Sequence, residues 1–365
     1  MRCRHCYAGA LYGDAREELG LEDSLRLLRN LYSVGVQNLS LYGGEPLLRG
    51  DLAELVREAH TRGTGVYVVT NGVLLTAARA EELMDAGLSG FGVSLDAGTR
   101  ETYRKIRGSD LFPRVLGNVR SLVQSIRDRA GSTTVSLSLG FVLSRVNQGD
   151  TAAVIRLAHD LGADHVILTP LAHVGNARNS WAADALLSPG EFVDAAETAM
   201  RVRTDLGLSD DFVVMDFATH RLLDYIREAW GLTFPLPPRR CSPLKGGLFV
   251  RADGVAFPCK GTVAEMGLKA GGYSVQGHSL LEHPLSWILN SPDFVRLFEM
   301  ASSETLLRGL PACRECEHFL VECGPCPIAA LQGKPYAEFC HDYPVGLICQ
   351  AASDRGKGLK DRNHG

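Results

Sequence analysis

The sequence predicts an α/β fold built on a parallel sheet, and three observations carry that prediction. Apolar runs of strand length alternate with amphipathic helical stretches from Glu18 to Thr169. This is the pattern of βαβ units, whose crossover helices leave neighbouring strands parallel. Motifs bearing glycine and carboxylate fall where the strands end, which is where parallel α/β folds bind ligands. The ten cysteines gather toward the two ends of the chain, with none between Cys6 and Cys241.

Taken in order, a helix is expected from Glu18 to Val34, because Leu19, Leu21, Leu25, Leu28, Leu31 and Tyr32 recur at helical spacing and Gly35 supplies a stop. A strand follows from Gln37 to Tyr42. The alternation continues with a helix at 52–60, a strand at 65–69, a helix at 77–86, a strand at 90–95 and a helix at 112–126. It ends with a strand at 133–142, a helix at 151–161 and a strand at 165–169. Beyond His173 the pattern loosens. Ser188-Pro189-Gly190-Glu191 opens a helix running to Leu206, a short strand is expected within 212–217, and 220–230 reads as helix. Leu236-Pro237-Pro238 then breaks the chain just before the cysteines return.

Composition narrows the function classes. A chain of 365 residues has room for one large domain or two ordinary ones. The net charge of -4 and the lack of a basic block give no electrostatic reason to expect nucleic acid or a membrane surface as partner. No apolar run of about eighteen residues appears, so no spanning helix is expected. Cysteines diluted in a large chain and clustered at its ends suit metal ligation in a reducing cytoplasm better than a disulfide scaffold.

Cys3-x2-Cys6 is half of a metal site, since two thiolates at that spacing clasp one tetrahedral metal, and zinc alone would satisfy it. Gly43-Gly44-Glu45-Pro46 ends the first strand. Its glycines let backbone approach a ligand, Pro46 stiffens the turn, and Glu45 with main-chain carbonyls suits a polar cation; the alternative is an ordinary βα turn. Thr70-Asn71-Gly72 ends the next strand, where Asn-Gly is also a common turn. Ser94 and Asp96, two apart on a strand, are expected to project to one side. Arg107 alone reads as a surface charge and Leu171 as core packing.

This succession, from Cys3 and Cys6 through Tyr42-Gly43-Gly44-Glu45-Pro46 and Thr70-Asn71-Gly72 to Ser94-Leu95-Asp96, resembles the radical S-adenosylmethionine (radical SAM) enzymes. The resemblance implies a partial (β/α)6 parallel barrel. In it a Cys-x3-Cys-x2-Cys loop binds a [4Fe-4S] cluster whose open iron chelates S-adenosylmethionine, the source of a 5'-deoxyadenosyl radical. Cys3 and Cys6 match the second and third cysteines of that loop, His5 stands where an aromatic residue is usual, and Tyr7 follows. The first cysteine and the first strand would lie upstream of Met1, which implies a longer native chain; the rival reading is a relative without radical chemistry. By the same resemblance Gly43, Gly44, Glu45 and Pro46 bind the methionyl ammonium, with Thr70 and Asn71 beside the ligand. Ser94 and Asp96 serve its ribose and sulfonium surroundings, Arg107 approaches its carboxylate, and Leu171 packs at adenine.

The second cysteine group reads Cys241-x12-Gly254-x4-Cys259, then Cys313-x2-Cys316-x6-Cys323-x2-Cys326, then Cys340. It resembles the SPASM extension of radical SAM enzymes, a smaller cysteine-rich α+β domain that binds two auxiliary [4Fe-4S] clusters. The usual central spacing is five then three intervening residues, so Cys323 is displaced by one. The resemblance implies that Cys313, Cys316, Cys323 and Cys340 hold an outer cluster and that Cys241, Cys259 and Cys326 hold an inner one with an open iron. Cys349 reads as a buried thiol, with a fourth inner ligand as the alternative. Asp253-Gly254 between apolar runs is a hairpin signal. Two zinc ribbons are the competing account of these thiols.

The organisation expected is a barrel at 1–172, a bridge at 173–238, the SPASM segment at 239–350 and a disordered tail at 351–365. The function implied is a radical SAM oxidoreductase that oxidatively modifies or crosslinks a peptide or protein side chain, fed electrons by a donor such as flavodoxin or ferredoxin. Oxidation of a small molecule or of a cofactor or tetrapyrrole precursor is the alternative, and an iron-sulfur electron-transfer or binding protein is the alternative of another class. Sulfatase maturation is disfavoured, because Lys260 follows Cys259 where those relatives carry an aspartate base.

Overall fold

The computed structural model describes residues 3–6, 18–129, 134–171, 175–178, 184–236, 246–259, 276–309, 313–319, 323 and 345–363. Helix α1 (Leu21–Tyr32) leads into strand β1 (Asn38–Leu41), then α2 (Leu52–Thr61), β2 (Gly65–Thr70), α3 (Ala77–Asp85) and β3 (Gly90–Ser94). Two helices follow, α4 (Arg100–Arg107) and α5 (Phe112–Asp128), then β4 (Ser136–Leu143), α6 (Thr151–Leu161) and β5 (His165–Pro170). Helix α7 (Pro189–Asp205), strand β6 (Val213–Met215) and helix α8 (His220–Trp230) complete this part. The strands lie side by side in chain order, every pair parallel. The parallel α/β prediction therefore holds, and a partial barrel is consistent with it.

The two faces of the sheet differ. Val66 and Val68 of β2, Leu137, Leu139 and Phe141 of β4, and Val166 and Leu168 of β5 are fully buried or nearly so, forming the core under the helices. The alternating residues face the other way and are small, polar or partly exposed, among them Ser40, Tyr67, Val69, Gly92, Ser138, Gly140 and Val214. Period-two projection thus produces one packed face and one open face from the same strands.

Three elements differ from the sequence expectation. The sheet does not stop at residue 172, because β6 pairs parallel with β5 through Val166↔Val213 to Leu168↔Met215, so the segment read as a bridge supplies a strand and two of its helices. Helix α4 was not expected, although Thr99 caps its first turn by accepting from Thr102 N and Gly108, at φ 68°, ends it. The tail expected to be disordered continues helix α12 (Val345–Asn363). Its polar, glycine-bearing sequence is overridden by tertiary contact: Ile348 and Ala352 are fully buried, and Arg355 reaches Asp194 at 2.9 Å and the Gly190 carbonyl at 3.1 Å, both on α7.

The carboxyl-terminal part holds an antiparallel β7 (Phe249–Val250), β8 (Val255–Phe257) and β9 (His278–Ser279), followed by α9 (Leu285–Leu289), α10 (Pro292–Ser302) and α11 (Glu304–Leu307). The Asp253-Gly254 turn joins β7 to β8 with Gly254 at φ 81°, as the hairpin signal requires. Ala256, Leu280, Leu285, Ile288 and Phe294 pack on Leu27, Leu28 and Leu31 of α1 to make a second core. Asn30 fastens it, donating to the carbonyls of Leu280 at 2.7 Å and His283 at 2.9 Å while accepting from Leu285 N at 2.8 Å. Among the described residues no helix is long and apolar enough to cross a membrane.

Candidate functional site

The carboxyl ends of β1, β2 and β3 carry the candidate residues. Glu45 precedes a short 3-10 turn (Pro46–Leu48), and its carboxylate ties the first two strand ends together. Oε1 accepts from Thr70 Oγ1 at 2.6 Å and from Leu47 N at 3.2 Å, and Oε2 accepts from Asn71 N at 2.8 Å. An ionised carboxylate offers about four acceptor positions. Three are taken here by the described residues, so Glu45 braces the two strand ends. Gly44 is exposed, and a Cβ there would meet nothing within 4 Å, which leaves space in front of the motif. Asn71 Oδ1 accepts from Val73 N at 2.9 Å, and Asn118 donates to the carbonyls of Gly72 and Val73, so the Thr70-Asn71-Gly72 turn is locked from below.

Asp96 departs from its expected role. Strand β3 ends at Ser94 and Asp96 takes a left-handed backbone at φ 61°, so the two side chains do not share a strand face. Its carboxylate is fully buried, paired with Arg107 Nη2 at 2.5 Å and His5 Nε2 at 2.9 Å, and accepts from Val142 N at 2.7 Å. Burial by itself would raise the carboxyl, but Arg107 and then His5 outweigh it and hold the group down at about 2. Asn147 donates to the Asp96 carbonyl at 2.9 Å and supports the strained turn.

Arg107 ends α4 inside the protein rather than on its surface. Nη2 donates to the Ser94 carbonyl at 2.7 Å, and Nη1 faces Cys3 Sγ at 3.8 Å. Its Nε is buried with no hydrogen-bond partner among the described residues. Burial pushes the Cys3 thiol up, and Arg107 opposes that shift. Asn176 clamps the cysteine loop, its N donating to the Cys6 carbonyl at 2.9 Å and its Nδ2 to the Cys3 carbonyl at 3.0 Å. Leu171 packs with Ala177 and Ala185 in a small apolar cluster.

The structure therefore brings Cys3, Cys6, Ser94, Asp96 and Arg107 together, and Glu45, Thr70 and Asn71 together beside the glycines. Tyr7 lies outside the described residues, as do Cys241, Cys326 and Cys340. His5, Asn147 and Asn176 were not read from sequence as supports. Only His5 carried a signal, its place within the Cys3–Cys6 spacing.

Farther along the chain, Cys316 N donates to the Cys313 carbonyl at 3.3 Å and Cys323 N to the His318 carbonyl at 2.9 Å, which folds the three cysteines into one short loop. Arg221 of α8 donates through Nε to Cys316 Sγ at 3.5 Å and through Nη1 to Ser353 Oγ at 3.3 Å. Cys349 stands one helical turn before Ser353 on α12, on the same face. The Cys313 thiol is pushed up to about 12 by burial first, then by Cys349 and Cys316. Cys259, at the end of the β7–β8 hairpin, is partly buried.

Residues 1–158 match the model of the Radical SAM superfamily. The chain is similar in sequence to two curated relatives named as probable GTP 3',8-cyclases. That of Saccharolobus islandicus (strain M.14.25 / Kamchatka #1) is 36% identical over 174 residues, covering 47% of this chain and 54% of the relative. That of Metallosphaera sedula is 36% identical over 148 residues, covering 40% and 44%. The chain spans about half the length of these relatives. In fold it is similar to anSMEcpe solved with AdoMet and the Cp18Cys peptide, with a TM-score of 0.66 at 13% identity over 99% of this chain and 95% of that one. Streptococcus suis SuiB bound to its precursor peptide SuiA gives 0.60 at 13% identity over 80% and 63%. The family implies a [4Fe-4S] cluster and S-adenosylmethionine. The donor chemistry fits such a cluster in part: two soft thiols lie in one short loop beside a buried guanidinium with an unpartnered N–H, and the described residues supply two of the usual three thiolates.

Proposed function

We propose that this chain takes part in radical SAM chemistry at the carboxyl ends of β1–β3 and applies it to the oxidative modification of a peptide or protein side chain. The observation that carries the reading is the seating of Cys3 beside Arg107 at the end of β3, in the domain that matches the family. When bound, the cluster and S-adenosylmethionine supply one electron and a 5'-deoxyadenosyl radical. The chain's own residues bind and orient. Cys3 and Cys6 hold iron, the remaining acceptor position of Glu45 takes the methionyl ammonium, Gly43, Gly44 and Pro46 give it backbone access, and Thr70 and Asn71 keep Glu45 in place. Ser94 lies at the ribose and Leu171 at the adenine.

A SPASM segment at 239–350 is part of the same reading, with Cys313, Cys316 and Cys323 on an outer auxiliary cluster and Cys241, Cys259 and Cys326 on an inner one. Cys349, near Cys313 and Cys316 and on the face of α12 that Arg221 touches, is proposed as the outer cluster's fourth ligand in place of Cys340. The peptide substrate is supported by fold likeness to two peptide-bound proteins, which in one case extends over nearly the whole chain. A small nucleotide substrate is the second reading, favoured by the sequence identity to probable GTP 3',8-cyclases.

The test is 5'-deoxyadenosine formation by the anaerobically reconstituted chain with S-adenosylmethionine and dithionite, alone, with GTP and with the Cp18Cys peptide. Stimulation by the peptide and not by GTP is expected. Stimulation by GTP alone replaces the peptide reading with the nucleotide one. A full iron load without 5'-deoxyadenosine leaves an electron-transfer or binding protein.

A further inference from the structure

We infer that Arg107 is a positioning residue for the cluster's electronics: seated by Asp96, it directs an N–H at the Cys3 thiolate and so sets how readily a cluster on Cys3 and Cys6 accepts an electron. The inference rests on the cluster proposed above.

The geometry leaves the guanidinium little freedom. Nη2 is shared between Asp96 at 2.5 Å and the Ser94 carbonyl at 2.7 Å, which fixes the plane of the fork and turns Nη1 toward Cys3 Sγ at 3.8 Å. Asp96 cannot swing away, since its carboxylate is held by Val142 N and His5 and its backbone by Asn147. His5 belongs to the cysteine loop itself, so the same carboxylate positions both the loop and the arginine. Asp96 and Arg107 have side chains 1% and 6% exposed, so water does not screen their interaction with sulfur. An N–H aimed at a cluster thiolate stabilises the more negative, reduced state and raises the reduction potential. With both Nη2 N–H groups engaged and one of Nη1 directed at sulfur, Nε and the second Nη1 N–H are left for a carboxylate ligand.

The test is a one-electron redox titration of the iron-loaded full chain with dithionite, followed by EPR. The signal of the Cys3–Cys6 cluster is identified by its absence from Cys3→Ala. In Arg107→Gln the ratio of reduced to oxidised cluster at the wild-type midpoint is expected to fall about tenfold, ~59 mV for one electron, with iron content unchanged. Arg104→Gln removes an exposed charge from the same helix and is expected to leave the midpoint in place. Arg107→Lys keeps the ion pair with Asp96 but not the fork, so it tests the point even if Arg107→Gln fails to fold, and is expected to recover less than half of the shift.

A wild-type midpoint in Arg107→Gln, or full recovery by lysine, overturns the inference while leaving the function standing. Weaker S-adenosylmethionine binding with an unmoved midpoint also overturns it, assigning Arg107 to the ligand instead. Wild-type protein that takes up no iron at Cys3 overturns both.

Discussion

Glu45 accepts the Thr70 hydroxyl at 2.6 Å, and through this bond the end of β1 is fixed to the end of β2. The same carboxylate takes the amides of Leu47 and Asn71, so Glu45→Gln turns one acceptor into a donor facing donors. Hydrogen bonds to a charged group contribute about 1.5–3 kcal/mol each, and a loss of about 1–3 kcal/mol is expected in urea unfolding followed by circular dichroism. No change in midpoint would mean that the brace is dispensable.

Two glycines in the same region should behave in opposite ways. At Gly72, φ is 77° and an added Cβ would come 2.9 Å from Val115 Cγ1 and 3.0 Å from Val93 Cγ1, so Gly72→Ala is expected to cost about 1–3 kcal/mol. At Gly44 the added methyl meets open space, and Gly44→Ala should stay within about 0.5 kcal/mol of wild type. Under the proposed role, Gly44→Ala weakens S-adenosylmethionine binding, measured by calorimetry, without touching stability.

Asn30 links α1 to the carboxyl-terminal core by three hydrogen bonds. Asn30→Ala strands two carbonyls and one amide, at about 1–3 kcal/mol for a buried unsatisfied group. Cleavage by a protease within 276–302 should speed up in this variant before cleavage elsewhere does. Equal rates at all sites would show that the two cores open as one.

Glu191 gives a pH dependence of known sign. Its carboxylate is held by Arg145 at 3.0 and 3.1 Å, by Gln148 at 3.0 Å and by Ser188 N at 2.6 Å. Arg145 above all, against the cost of burial, lowers it from 4.5 to about 2. A depressed carboxyl contributes stability that is present above its ordinary value and lost as pH falls toward the depressed one. The difference in unfolding midpoint between wild type and Glu191→Gln should therefore be full at neutral pH and shrink between 4.5 and about 2.

Cys349→Ala is expected to remove iron amounting to one auxiliary cluster, read by iron analysis and visible absorption, whereas Cys340→Ala removes less. The reverse ranking would return Cys349 to the role of a packed thiol.

Much of this architecture was legible from periodicity. Strands such as 136–143 announce themselves by alternation, and α6 was bounded correctly by Thr151 and the glycine after Leu161. What stayed hidden depends on tertiary contact. Strand β6 has three residues, too few for its pairing partner to be read from pattern alone. The burial of Asp96 follows from a left-handed backbone that a non-glycine residue adopts only when its surroundings compel it. Helix α12 reads as tail until α7 and α8 are there to cover Ile348 and Ala352. The glycines and carboxylate at the strand ends could be located from sequence. That Glu45 spends three acceptor positions on its own chain could not.

Helix α12 also joins two ledgers. It carries Cys349 near its first turns and rests, farther along, on the helices that cover β5 and β6. A ligand gripped by Cys349 in the folded chain alone would by mass action stabilise the packing of α12, and with it the far edge of the sheet. Loss of metal at one end of the molecule should then register as earlier melting at the other, with no residue of the sheet altered.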